Sequence, residues 1–332
     1  MSKLCLFLVL TWPLLAFSYE IDNFTLRYKE LPNALSIIDK EVNERLDRAA
    51  KEHSKETQGC NQSTIISFVN SEFQGLIIGA IESWVTNNPN IKKHDINLDK
   101  SVYKSRSMKD KLQGGVLSSF GLNSTINLNG FYVGVDKLGH FFDQGYAQYS
   151  IAHLEGKGVE AALKRGVSQE ETYLGWSTTG IKSYGDLAAN YSGMTFWSNL
   201  TGGKKPIFTC KNNQWEKVRD FSFADYVDSS WDEAINCSVY KTDSLNEVIQ
   251  KNLTALENQS PDKKFLCPVD SLACQNFQKK YPQDILPFII SPQCLVKNDI
   301  PLEAASCKSK LNERLVSEKF TRFCETIIEK LK

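Results

Sequence analysis

Apolar residues recur at three- and four-residue steps through residues 33–58, NALSIIDKEVNERLDRAAKEHSKETQ. Leu35, Ile38, Val42, Leu46 and Ala49 share one face and charges fill the rest, which predicts an amphipathic helix. A second stripe of Ile66, Val69, Phe73, Ile77, Ile81 and Val85 predicts one helix over 63–86, closed by Asn87-Asn88-Pro89-Asn90. Residues 90–134 carry only short alternating runs, and INLNGFYVGV predicts a hairpin about Asn129-Gly130. A helix opening on DKLGHFF is expected over roughly 136–155, broken at Gly156-Lys157-Gly158. A further helix is expected from about 168 to about 200, closed by Gly202-Gly203, with short aromatic segments after Pro206. Beyond residue 240, helical pieces alternate with Pro261, Pro268, Pro282, Pro287, Pro292 and Pro301.

The pattern implies a mainly α fold: a multi-helix globular core with short β-hairpin elements and a disulfide-linked C-terminal helical region. It divides into an N-terminal helical part of the core (19–110), a central helical core (111–240) and a cysteine-rich C-terminal region (241–332).

Residues 1–18, MSKLCLFLVLTWPLLAFS, have an early lysine, an apolar run and a small-residue end, which predicts a signal peptide cleaved before Tyr19. Pro13 interrupts the run, which is short for a membrane span, and no later stretch reaches ~20 apolar residues, so no transmembrane segment is expected in the mature chain. Lys and Arg balance Asp and Glu at 39 each, so nothing draws the chain to nucleic acid. Of nine cysteines, Cys5 leaves with the signal. The even remainder, Cys60, Cys210, Cys237, Cys267, Cys274, Cys294, Cys307 and Cys324, reads as disulfides in an exported protein, in the periplasm or outside the cell. Reduction is expected to loosen the C-terminal region first, because six of the eight lie beyond residue 230. Eight N-x-S/T sequons occur, and Asn190 falls where packing is expected, so they are read as incidental composition.

Chemistry concentrates in VDKLGHFFDQGY. At ~100° per residue, Asp136, His140 and Asp143 share one helical face, while Phe141 and Phe142 point to a core. In TYLGWSTTGIKSYGDLAANYSGMTFW, the face of Asp186 also carries Gly175, Thr179, Ser183, Asn190 and Gly193, small or polar residues that let a second helix approach closely. The two helices are expected to pack, with Glu170 and Glu171 in reach of the same region. One imidazole and several carboxylates suit a divalent metal ion with open positions, through Asp136, His140, Asp143 and Asp186. Without metal, His140, Asp136 and Asp186 suit general acid–base catalysis, with Asn190 and Lys137 as substrate-binding groups. The alternative is a buried polar packing network, with Asp136 capping its helix and His140 paired to Asp186. In SSWDEAIN, Ser229 or Ser230 reads as a helix start and Trp231 as a packing anchor; Asp232 or Glu233 is a weaker addition to the site. No P-loop, dinucleotide fingerprint or nucleophile elbow is present, and four histidines make a three-His zinc site a poor fit.

DKLGHFFDQG followed by TTGIKSYGDLAANYSGMTFW resembles bacterial predicted periplasmic proteins of unknown function that share a D-K-x-G-H-F helix, and more distantly VanZ-like and YfiM-like proteins. The resemblance is strongest over residues 130–200 and implies a helical core in the bacterial envelope. It pairs Asp136, Lys137, Gly139 and His140 with Asp186, Asn190 and Gly193. VanZ-like proteins are membrane-embedded, whereas the helices here are too polar to span. The expected function is hydrolysis of a cell-envelope lipid, glycan or peptide; the alternative is a non-catalytic envelope protein.

Overall fold

A computed structural model describes residues 20–75, 78–106, 121–172, 174–203 and 205–295. The signal peptide, Ile77, Cys307 and Cys324 therefore lie outside the described residues. Within them the fold is mainly α, with two-stranded sheets only. No helix among them is long and apolar enough to cross a membrane.

Helix α1 (Leu35–Glu56) buries Ile38, Val42, Leu46 and Ala49, as its spacing predicts, and His53 one turn further on. The second stripe is not one helix. It forms α2 (Gln62–Phe73) and α3 (Ala80–Asn87), with Asn61 capping α2 through the Ser63 N–H at 2.9 Å. Helix α2 ends at Gln74, which is extended, and α3 restarts after Gly79, which packs against the DKLGHFF helix. A Cβ at Gly79 would lie 2.8 Å from Asp143 Oδ2 and 3.0 Å from Gly139 Cα.

Strand β1 (Glu20–Ile21) pairs in parallel with β2 (Leu122–Asn123). β3 (Thr125–Leu128) and β4 (Phe131–Gly134) form the expected hairpin, with Asn129 and Gly130 at φ 57° and 89°. Both turn residues are left-handed, as a tight two-residue hairpin needs. The hairpin delivers the chain to the DKLGHFF helix, which is helical over residues 136–154. Two π segments, His140–Gln144 and Ser150–Leu154, interrupt it.

The helix expected over 168–200 is two. One runs Val159–Glu170, beginning after Gly158 at φ 83°; the other, the GDLAAN helix, runs Tyr184–Asn199. Between them, Gly180 adopts φ 81°, which an α-helix does not accommodate, and β5 (Ile181–Lys182) pairs with β8 (Val239–Tyr240). Gly175 and Thr179 thus belong to the turns before the helix, and Ser183 is its N-cap. In SSWDEAIN only a short 3₁₀ turn forms, Ser229–Trp231, and its cap is Asp228 rather than either serine.

A large apolar core takes residues from Ala34 to Leu295, and a smaller one gathers Phe24, Tyr103, Ile181, Ala234 and Leu253. At the centre of the large core, Phe142 stacks on Phe73 at 4.1 Å, and Phe141 lies against Phe196, Phe223, Tyr226 and Trp231. Three disulfides are formed among the described residues. Cys237–Cys267 and Cys274–Cys294 tie the C-terminal helical pieces, and Cys60–Cys210 joins the α1–α2 connection to the hairpin of β6 (Phe208–Lys211) and β7 (Gln214–Lys217).

Candidate functional site

The DKLGHFF and GDLAAN helices approach at glycine. A Cβ on Gly145 would lie 2.7 Å from Gly193 Cα, and one on Gly193 would collide with the Phe141 carbonyl oxygen. Trp197 locks the seam by donating its Nε1–H to the carbonyl of Phe142 at 2.9 Å, inside the first π segment.

This approach brings His140 to Asp186, with Nε2 3.2 Å from Oδ2. Asn190, one turn along, has its amide 3.0 Å from His140 Nδ1. With its nitrogen turned to the ring, Asn190 donates to Nδ1 and also reaches the carbonyl oxygens of Asp186 and His140 at 3.2 Å. That orientation sets the tautomer: Nδ1 accepts, and Nε2–H donates to Asp186. Burial holds the His140 pKa below its ordinary value, against the pull of Asp186.

Lys137 lies beside this pair and is fully buried. Its ammonium is 2.6 Å from Asp186 Oδ1, 2.6 Å from Glu233 Oε1 and 3.3 Å from both oxygens of Asp136. Ser183 Oγ donates to Glu233 and accepts from the Asp186 N–H, fixing both acids. Burial alone would lower the lysine, but Asp136, Asp186 and Glu233 outweigh it and hold the ammonium well above its usual range. For Asp186 burial is likewise outweighed, by His140 and then Lys137, and its carboxyl stays below the ordinary value. Asp136 goes the other way: desolvation dominates, and Asp186, Glu233 and Glu82 add to it against Lys137.

Further acids surround this centre. Glu170 is buried with Oε1 unpartnered, and burial together with Asp186 and Glu20 raises its pKa well above normal. Burial and Glu233 push Glu20 up to about 8. Glu82, which accepts from Asn123 Nδ2 at 3.1 Å, is raised to about 7 by burial.

The structure revises several sequence assignments. Asp143 does not join Asp136, His140 and Asp186. The π segment contains one more residue per turn than the α-helix assumed in the face count, and Asp143 turns instead to Gly79 and Glu82, where burial raises it to about 7. Lys137 and Asn190, expected to bind substrate, spend their polar groups on Asp136, Asp186, Glu233 and His140. Asp136 makes no capping hydrogen bond. Glu171 pairs with Lys182 at 2.7 Å, and Asp232 with Arg27 at 2.7 Å. Glu233, ranked low from sequence, is a direct partner of Lys137. Glu20 and Glu82 carry no signal, since neither lies in a motif. Among the sequon asparagines, Asn23, Asn190, Asn236 and Asn252 are buried.

Asp136, His140 and Asp186 each offer one ligand atom within 4.8 Å of the others. Mixed nitrogen and oxygen donors at this spacing fit a divalent ion of the zinc or manganese type, with positions left for water or substrate. No family model matches the chain, nor does a curated protein or a solved structure.

Proposed function

We propose that the chain is an exported, envelope-located hydrolase built on a divalent-cation centre held by Asp136, His140 and Asp186. Its substrate class is a cell-envelope lipid, glycan or peptide. The observation that carries this reading is convergence: two helices supply one imidazole nitrogen and two carboxylate oxygens within 4.8 Å. They do so in a buried setting that Glu20, Glu82 and Glu170 share. A bound divalent ion would supply Lewis-acid polarisation and a water of lowered pKa. The residues would orient that chemistry: ion binding takes the other tautomer, with Nδ1–H donated to Asn190 Oδ1 at 3.0 Å and the Nε2 lone pair left for the ion, and Ser183 caps the helix that carries Asp186. Three disulfides fit an oxidising compartment, and the resemblance to periplasmic D-K-x-G-H-F proteins supports the same placement.

A second reading rests on Lys137. Its buried ammonium and the doubly paired His140 also describe a polar network that only fixes helix packing. Elemental analysis of purified protein, wild type against His140→Ala, separates the two when paired with melting curves. Near-stoichiometric metal in the wild type, lost in a variant that melts close to wild type, is the expected result. Metal-free wild type after reconstitution, with a variant destabilised by the ~1–3 kcal/mol of a broken buried pair, would leave the packing network.

A further inference from the structure

Asp186 divides its two oxygens between two partners. Oδ2 faces His140 Nε2 at 3.2 Å, and Oδ1 faces the Lys137 ammonium at 2.6 Å. The ammonium lies in an all-oxygen cradle, with Glu233 Oε1 at 2.6 Å and the Asp136 carboxylate at 3.3 Å, and none of it is exposed. Gly185 makes room for the lysine stem: a Cβ there would lie 3.0 Å from Lys137 Cε and 3.1 Å from Glu233 Cγ. This is the arrangement of a two-ion centre, in which one carboxylate bridges two cations ~3.5–4 Å apart, with an ammonium where the second ion would be.

We propose that the Lys137 ammonium occupies the second cation position of a centre bridged by Asp186, and that removing the amine opens this position to a hard divalent ion. The cradle of Asp136, Asp186 and Glu233 contains only carboxylate oxygens, which select Mn²⁺ or Mg²⁺ over softer ions. The inference rests on the proposed His140 position for the first ion only; the second position stands on its own ligands.

The test uses full-length, disulfide-bonded protein as wild type, Lys137→Met, Lys137→Arg and the double variant Lys137→Met/Glu233→Gln. Each is stripped with chelator, dialysed against excess Mn²⁺ and freed of unbound ion. Bound manganese is counted, and paramagnetic resonance shows whether ions are isolated or coupled. The expected result is one isolated ion in wild type and Lys137→Arg, and a coupled pair in Lys137→Met that reverts to one ion when Glu233→Gln is added. Folded Lys137→Met with no gain over wild type overturns the proposal. So does a Lys137→Met protein that fails to fold when refolded in Mn²⁺ while Lys137→Arg folds, since the ion would then not replace the ammonium. One ion in both wild type and Lys137→Met leaves the His140 centre standing and removes the second position. None in wild type and one in Lys137→Met does the reverse.

Discussion

At the scale of single residues, Lys137 holds the centre together by charge. Its loss leaves Asp136, Asp186 and Glu233 facing one another without a counter-cation, away from water. In metal-free protein, Lys137→Met should lower stability by about 3–5 kcal/mol in urea unfolding, the range for breaking a buried ion pair on one side. Glu170→Gln should change it by less than about 1 kcal/mol, because burial disfavours the charged carboxylate and the amide has the same shape. Asp143 and Glu82 give a pH signature. Burial raises both to about 7, above the ordinary 3.8 and 4.5, so the folded state keeps protons that the unfolded chain releases. Their contribution is full below about pH 4 and drains away as the pH rises through about 7. Asp143→Asn should therefore gain stability over wild type at about pH 8 and gain little at about pH 4, as read by urea titrations at the two values.

At the scale of elements, the site depends on how closely two helices approach. Gly145 and Gly193 form the contact, and Gly193 has no room for a methyl group because the Phe141 carbonyl fills that space. Gly193→Ala should destabilise by about 1–3 kcal/mol through overpacking, and by separating His140 from Asp186 it should also weaken any metal binding. A melting curve and a metal titration on the same variant check both. The small-residue face of GDLAANYSG was legible in the sequence, as was its pairing with DKLGHFF, because both follow from helical period. The position of Asp143 was not. A π segment adds one residue to a turn, and its sequence, HFFDQ, has an ordinary helical composition. The same limit applies to residues 63–86, where an unbroken apolar stripe spans two helices. Between them Gln74 is extended and Gly79 packs against Asp143 and Gly139 of the DKLGHFF helix, tertiary contacts that no apolar period encodes.

At the scale of the whole molecule, the disulfides differ in reach. Cys60–Cys210 spans 150 residues, against 30 and 20 for Cys237–Cys267 and Cys274–Cys294. On loop entropy alone, the long one contributes about 5 kcal/mol and the others between about 3 and 4. Cys210 is exposed, whereas Cys237, Cys274 and Cys294 are buried. Mild reductant followed by alkylation and peptide mapping should label Cys60 and Cys210 first, the reverse of the order expected from where the cysteines cluster in the sequence. The Cys60→Ser/Cys210→Ser protein should melt below either C-terminal double variant.

The sequence by itself determined what depends on local period and residue type. It specified the amphipathic α1, the Asn129-Gly130 hairpin, the DKLGHFF and GDLAAN helices as partners, and His140, Asp136 and Asp186 as groups on facing sides. Tertiary structure decided what depends on the meeting of distant segments. It brought Glu233 from 96 positions away to the Lys137 ammonium, gathered Glu20 and Glu82 from short segments, and turned Asp143 towards Gly79 and Glu82. The physical reason is range. Helical spacing acts over a few residues, whereas the burial that shifts these acids, and the charges that offset it, exist only once the chain has closed around them.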